Sequence, residues 1–394
     1  MKIFSGVSGN VWRLGLSQAL MMTVMNVNLT NTALVGALLA PSTWLITLPV
    51  SIQFVAVMVA TIPASLLMAQ FGRRPIFLIG VMMVTIGAFG QALSILTESF
   101  APLVISSFLL GLGQGVAQFY RYAAADAAEG AEKAKAVSWV LLGGLASAII
   151  GPEIAYRTVD LLPNSLYAGC FIVTGLVQMI AIPIILGLNL PPVRKQEQRG
   201  RPISEFFVMP SFLSGLVAAA LGYCVMTFLM TATPLQVVDV SRLSHEANAR
   251  VIQWHVVAMF GPSLFSGLLI AKFGVGRILW AGLACYVISS ITAFSGAGFY
   301  NYLSALIFLG IGWNFLYVGG SSVIANSANP EERGRVQGIA DFCIFSVVAT
   351  ASMLSGMAHS ELGWAFMTAI VFVPIFLIAL AIIVGKPNLI NQEA

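Results

Sequence analysis

The sequence predicts an all-α membrane protein of twelve transmembrane helices, arranged as two six-helix halves that repeat one another in parallel. Three observations predict it. Of the 394 residues 58% are hydrophobic and only 9% charged, with a mean hydropathy of +0.92, whereas soluble domains carry roughly a quarter of their residues as charges. The apolar residues come in blocks close to the ~20 needed to cross a ~30 Å hydrocarbon layer as a helix. Short segments also recur about 200 residues apart, in the same order.

Apolar runs between charged, Pro, Gly or Asn breaks place helices 1 to 6 at Val11 to Leu38, Thr43 to Met68, Pro75 to Leu96, Phe100 to Ala124, Ala136 to Thr158 and Asn164 to Leu188. Helices 7 to 12 follow at Pro210 to Ala232, Arg250 to Ala271, Arg277 to Ala297, Tyr300 to Ala325, Val336 to Ala358 and Gly363 to Val384. Lys2 and Arg13 precede apolar sequence as they would in a secretory signal, but this first block outruns such a signal and further spans come after it, so it is expected to be retained as helix 1. Asn28-Leu29-Thr30 matches a glycosylation sequon, yet inside a span it has no meaning. Residues 191–208 hold Arg194, Lys195, Arg199 and Arg201 with Glu197 and Glu205, and read as a linker between an N-terminal bundle (1–190) and a C-terminal one (209–394).

With the N-terminus inside, all 19 basic residues except Arg157, Arg242 and Arg250 fall on the cytoplasmic side. Basic loops are retained there, so both termini are expected inside, which requires an even number of spans. The net charge of +4 is therefore topology, and no basic or aromatic-basic patch for nucleic acid is present. Cys170, Cys224, Cys285 and Cys343 each stand alone in an apolar block, which favours packing over metal binding or redox chemistry. No cofactor is expected.

The repeats locate the duplication. Ser65-Leu-Leu-Met-Ala-Gln-Phe-Gly72 returns 202 residues later as Gly267-Leu-Leu-Ile-Ala-Lys-Phe-Gly274, with five of eight positions identical. Ala125-Asp126, Ala128, Glu132, Lys133 and Lys135 face Ala325-Asn326, Ala328, Glu332, Arg333 and Arg335 at an offset of 200. Leu110-Gly-Leu-Gly113 and Leu309-Gly-Ile-Gly312 add a third echo. Each unit has an even number of spans, so the two insert with the same orientation.

At these loops the chain resembles the major facilitator superfamily, over essentially its whole length. Members carry a Gly-x-Leu-x-Asp-Arg-x-Gly-Arg-Arg loop between helices 2 and 3; here Gly72-Arg73-Arg74 is kept, while Ala69 and Gln70 replace the acid and first arginine that help latch the cytoplasmic side. Gly143-Gly144-Leu-Ala-Ser-Ala-Ile-Ile-Gly151-Pro152 in helix 5 is similar, in part, to the glycine-rich motif of the family's proton-coupled drug and metabolite antiporters. The same small residues would equally serve close helix packing. The arginine antiporters carry in helix 4 is replaced near Ser107. The resemblance implies a secondary transporter working by alternating access, with a small organic solute and protons as partners. It also implies a monomer in a bacterial inner membrane. Export by antiport is favoured, and proton-coupled import of a metabolite or siderophore is the alternative.

Ionisable groups inside spans are costly and so are candidates for function. Arg121 and Asp341 sit at similar depth on the inner side, Glu153 and His255 on the outer side. In the family, helices 4 and 11 meet on the cytoplasmic side and helices 5 and 8 pack across the halves. Arg121 with Asp341 is therefore expected to form an inner gate, and Glu153 with His255 an outer pair that responds to protonation. The plainer readings are an i, i+4 pair of Glu153 with Arg157, a hydrogen-bonded His255, a capping Asp341 and a snorkelling Arg121. Helices 1, 4, 7 and 10 line the family's cavity. Gln114, Gln118 and Arg121 share one face of helix 4. Trp313, Asn314 and Tyr317 on helix 10, Tyr223 and Thr227 on helix 7, and Gln18 and Asn26 on helix 1 complete the candidate solute site. Packing is the competing reading for the aromatics, and Met21, Met22 and Met25 are read as packing outright. No nucleophile with its base, metal cluster or phosphate loop marks an enzyme; Gly111-x-Gly113-x-Gly115 lies within a span and not after a strand. A non-transporting receptor on the same fold is the remaining alternative, and the chain holds no sizeable soluble domain through which it would signal.

Overall fold

The computed structural model describes residues 8–128, 132–190, 200–329 and 332–387. Lys2 and the linker residues Arg194, Lys195, Glu197 and Arg199 lie outside them, as do the side chains of Lys133 and Lys135. The spans are α1 (Gly9–Leu39), α2 (Leu48–Phe71), α3 (Arg73–Leu96), α4 (Phe100–Asp126), α5 (Ala136–Arg157), α6 (Ala168–Leu186), α7 (Pro210–Val240), α8 (His245–Phe260 with Ser263–Phe273), α9 (Val275–Phe294) and α10 (Phe299–Asn326). The last 53 residues of helix, Arg333–Gly385, would reach ~80 Å if straight. Gly363, at φ 78° and ψ 172°, divides them into α11 (333–362) and α12 (364–385). Twelve spans result among the described residues.

Three elements depart from the reading of the sequence. The predicted helix 8 is broken: its two parts bend by 42° at Gly261-Pro262, because proline has no N–H to donate and its ring crowds the preceding turn. Helix 4 carries a turn at Gln118 and Phe119, both still in the right-handed helical region. Helix 6 starts at Ala168, later than expected, since Tyr167 at φ 70° cannot continue a right-handed helix.

The chain divides into two compact units, Met1–Lys195 and Gln196–Ala394. Each has the same construction. Gly72 ends α2 and opens α3 at φ 85°, ψ 166°, its N–H donating to Met68. Gly274 does the same between α8 and α9 at φ 81°, ψ 148°, donating to Ile270. Only glycine adopts this backbone without strain. A Cβ on Gly113 would meet the Gly80 carbonyl, and one on Gly312 the Gly282 carbonyl, so the α3–α4 crossing reappears as α9–α10. Likewise Gly111 admits the backbone of Gln53, and Gly310 that of His255. His255 is thus the counterpart of Gln53.

Lipid offers no hydrophobic gain for joining helices, so close packing and hydrogen bonds must hold each unit. In unit 1, α1 is a spine of buried amides. Asn28 Oδ1 accepts from Gln53 Nε2 (3.2 Å), Gln91 Nε2 (2.8 Å) and Thr32 Oγ1 (2.9 Å), and Gln91 Nε2 donates on to Ser107 (2.9 Å). Asn28 joins three helices directly, and Gln91 extends the network to a fourth. Asn31 reaches the Ala155 carbonyl and Cys170 Sγ, both at 3.2 Å. Gly143 and Gly151 lie directly against α1, where a Cβ would strike Gly15 and Asn26. In unit 2, Tyr286 donates to the Gly222 carbonyl (2.5 Å) and Ser289 to that of Ala305 (2.8 Å). The C-terminal end of α7 unwinds into a π-helical turn, Leu235–Val240, whose Gln236 joins Tyr302 (2.9 Å) to His359 (3.0 Å). The outward faces are apolar: Leu66, Ile105, Leu268 and Phe376 are all exposed, as hydrocarbon requires.

Candidate functional site

Each unit contributes a set of polar or aromatic residues of its own. In unit 1, Gln18, Gln114, Gln118 and Arg121 are half-buried, and no hydrogen-bond partner for Gln114 Oε1 is found among the described residues. The Arg121 guanidinium lies over the Tyr122 ring, 4.9 Å from its centroid, and donates to its hydroxyl at 3.2 Å. Asn26 is fully buried and donates to Ser147 on α5 at 3.1 Å, which ties it to packing within the unit. Ser107 is sealed in the Asn28 network.

Unit 2 holds the stronger feature. Trp313 and Tyr317, one turn apart on α10, stack with ring centroids 5.1 Å apart and planes 10° from parallel. Tyr223 of α7 meets both edge-on, at 5.3 and 5.5 Å. Phe345 of α11 and Phe260 of α8 extend the cluster at 5.9 and 6.0 Å. Four helices therefore converge on one aromatic surface. Inside it Trp313 Nε1, and beside it Thr227 Oγ1 and Thr231 Oγ1, are buried without a hydrogen-bond partner among the described residues. An unsatisfied buried group costs about 1–3 kcal/mol, so three together call for an explanation. Asn314, placed in the site by sequence, is otherwise engaged. Both its amide hydrogens go to the broken helix, to the Met259 carbonyl (2.7 Å) and Ser263 Oγ (2.5 Å), and Ser266 donates back to its Oδ1 (2.6 Å). It braces the α8 bend.

Of the residues expected from the sequence to form gates, Glu153 accepts from Arg157 Nε at 2.8 Å, the i, i+4 pair. His255 is fully buried, with Nδ1 2.7 Å from the Leu306 carbonyl and no partner for Nε2 among the described residues. Asp341 is half-buried on α11. Two further ion pairs brace the loops. Arg73, nearly buried, pairs with Asp126 at 2.5 Å, joining the α2–α3 loop to the end of α4. Its repeat counterparts, Val275 and Asn326, cannot pair. Instead Arg201 binds Glu332 at 2.8 Å, donates to the Ser327 carbonyl at 3.1 Å, and covers the Phe206 ring. The Arg201 guanidinium and backbone N–H hold the Glu332 carboxyl down to about 2, well below the usual carboxylate range.

Sequence reasoning missed Thr231, Phe260, Phe345 and the Arg201–Glu332 pair. Thr231 was accessible, being one turn beyond Thr227 on the same stripe. The phenylalanines carry no signal that separates them from the chain's other phenylalanines.

The chain is 36% identical to the riboflavin transporter RfnT of Brucella anthropi over 98% of each protein. It is 28% identical to YddS, an uncharacterised transporter of Bacillus subtilis, over 74% of this chain and 72% of that one. In structure it resembles a bacterial homologue of the human lysosomal transporter Spinster (TM-score 0.76, 15% identity, 98% of each chain). A D-xylose–proton symporter is as similar (TM-score 0.76, 14% identity, 96% of this chain and 97% of that one). Residues 14–261 match the profile of the Major Facilitator Superfamily, and with twelve spans in two repeated units the chain belongs to that family of membrane transporters.

Proposed function

We propose that this transporter carries riboflavin or a closely related flavin across the membrane by alternating access, driven by protons. The observation that carries the reading is the aromatic surface of unit 2: a fused planar ring system needs flat π-surface with a donor at its edge, and Tyr223, Tyr317 and Trp313 offer both. The likeness to RfnT supports the same solute. In unit 1, Gln18, Gln114, Gln118 and Arg121 are proposed as solute-binding residues in their own right. The antiporter-like glycines of helix 5 lend export no weight, because Gly143 and Gly151 are accounted for by contact with α1.

For coupling, we propose Glu153 and His255 as the groups that exchange the proton and Arg121 with Asp341 as the inner gate. Support comes from the cost of placing such groups in spans and from His255 Nε2, which has no partner among the described residues. The distribution of basic residues supports a bacterial cytoplasmic membrane with both termini inside. The linker 191–208 would then lie on the cytoplasmic side, and a monomer suffices. The test is riboflavin uptake by a flavin-auxotrophic bacterium expressing the chain, with and without a protonophore. Uptake that depends on the chain and collapses with the protonophore is expected, as is its loss in Glu153→Gln or Asp341→Asn. Unchanged gradient-driven transport in both variants would remove the coupling proposal, and absence of any flavin movement would remove the solute.

A further inference from the structure

We propose that unit 2 carries a two-part subsite that reads both ends of a flavin: the aromatic surface takes the ring, and Thr227 with Thr231 takes the hydroxylated side chain. The inference rests on the flavin reading above. It starts from an irregularity among the threonines. In this chain Thr23, Thr30, Thr61, Thr85, Thr158 and Thr233 each donate to the carbonyl four residues back, at 2.6–2.9 Å. That is the usual way for a helix to satisfy a hydroxyl. Thr227 and Thr231 do not, although both are buried, at 0% and 3% exposure, and no other partner for either is found among the described residues. Among the described residues their two hydroxyls are the unsatisfied pair on α7.

Tyr223, Thr227 and Thr231 stand at i, i+4 and i+8 and so form one stripe along α7. The stripe borders the face that packs on α10, marked by Gly215 and Gly222 against Val323 and Leu316, and its first residue, Tyr223, meets the α10 aromatics edge-on. On its other side the Phe228 carbonyl accepts from Ser355 of α11 at 2.6 Å. At ~1.5 Å per residue the two hydroxyls are about 6 Å apart along the helix, and the farther one is about 12 Å from Tyr223. A planar ring against Tyr223 and Tyr317, with a rim carbonyl accepting from Trp313 Nε1, leaves a side chain running along α7 past both threonines. A ribityl chain presents successive hydroxyls over such a span, each able to donate and accept. A site whose buried hydroxyls need partners also rejects a ligand that lacks them.

The test compares riboflavin with lumiflavin, which has the same ring and a methyl group in place of the hydroxylated chain. Binding to the purified full-length protein is read by quenching of flavin fluorescence. The wild type should bind riboflavin more tightly than lumiflavin. The pair Thr227→Val and Thr231→Val should weaken riboflavin roughly ten- to thirty-fold and leave lumiflavin unchanged, which also shows the variant is folded. Trp313→Leu should weaken both. Riboflavin affinity unaltered in the double variant, or both ligands weakened equally, overturns the subsite while the flavin reading stands. A wild type that binds neither flavin overturns both.

Discussion

Asn28 shows how a single residue can organise a bundle in lipid. A neutral amide oxygen collects donors from α1, α2 and α3, with no charge to desolvate, and Gln91 passes the chain on to α4. Replacing it by Leu leaves two glutamine amides short of an acceptor. Orphaned donors cost about 1–3 kcal/mol each in water-soluble proteins, but polar groups within a bilayer recover part of this, and single bonds there average ~0.6 kcal/mol. Asn28→Leu is therefore expected to cost about 2 kcal/mol, or roughly 4–8 °C in the melting temperature of the purified protein. A shift within about a degree of zero would show that the network is not what joins these helices. At this scale the sequence reveals that a side chain is polar but not whom it meets. Asn26 and Asn314 read as well as Tyr223 and Thr227 did for a solute site, and only their bonds to Ser147, Met259 and Ser263 set them apart.

Among elements, the spans were legible because hydrocarbon thickness fixes their length, while the breaks at Pro262 and Tyr167 depended on local geometry that hydropathy does not encode. The repeated glycine turns give a matched pair of expectations. Gly72→Ala and Gly274→Ala should each cost about 1–2 kcal/mol, since both force a Cβ into positive φ; a melting temperature that rises in either variant would contradict the shared geometry. The Arg201–Glu332 pair predicts a pH signature. A carboxyl held down to about 2 stabilises the folded state fully above the ordinary carboxylate range, and that stabilisation fades as pH falls from about 4 toward 2. The difference in melting temperature between wild type and Glu332→Gln should be constant above about pH 5 and shrink below it. A difference that grew on acidification would mean that the ion pair is not its source.

For the whole molecule, duplication was the most informative property of the sequence, because it marks equivalent turns without reference to contacts. The α2–α3 and α8–α9 turns carry the same glycine conformation at positions 202 apart, and two glycine crossings are repeated. Yet the copies have diverged in chemistry: unit 1 concentrates amides, unit 2 aromatics. The proposed solute, riboflavin, has a flat apolar body and a polar edge. The claim that the chain moves such a solute is tested most directly by counterflow. Proteoliposomes containing the purified chain are preloaded with unlabelled riboflavin and diluted into a trace of labelled riboflavin. The account predicts a transient accumulation of label above equilibrium that unlabelled D-xylose inside does not support. Label that never rises above the level of empty liposomes would contradict it.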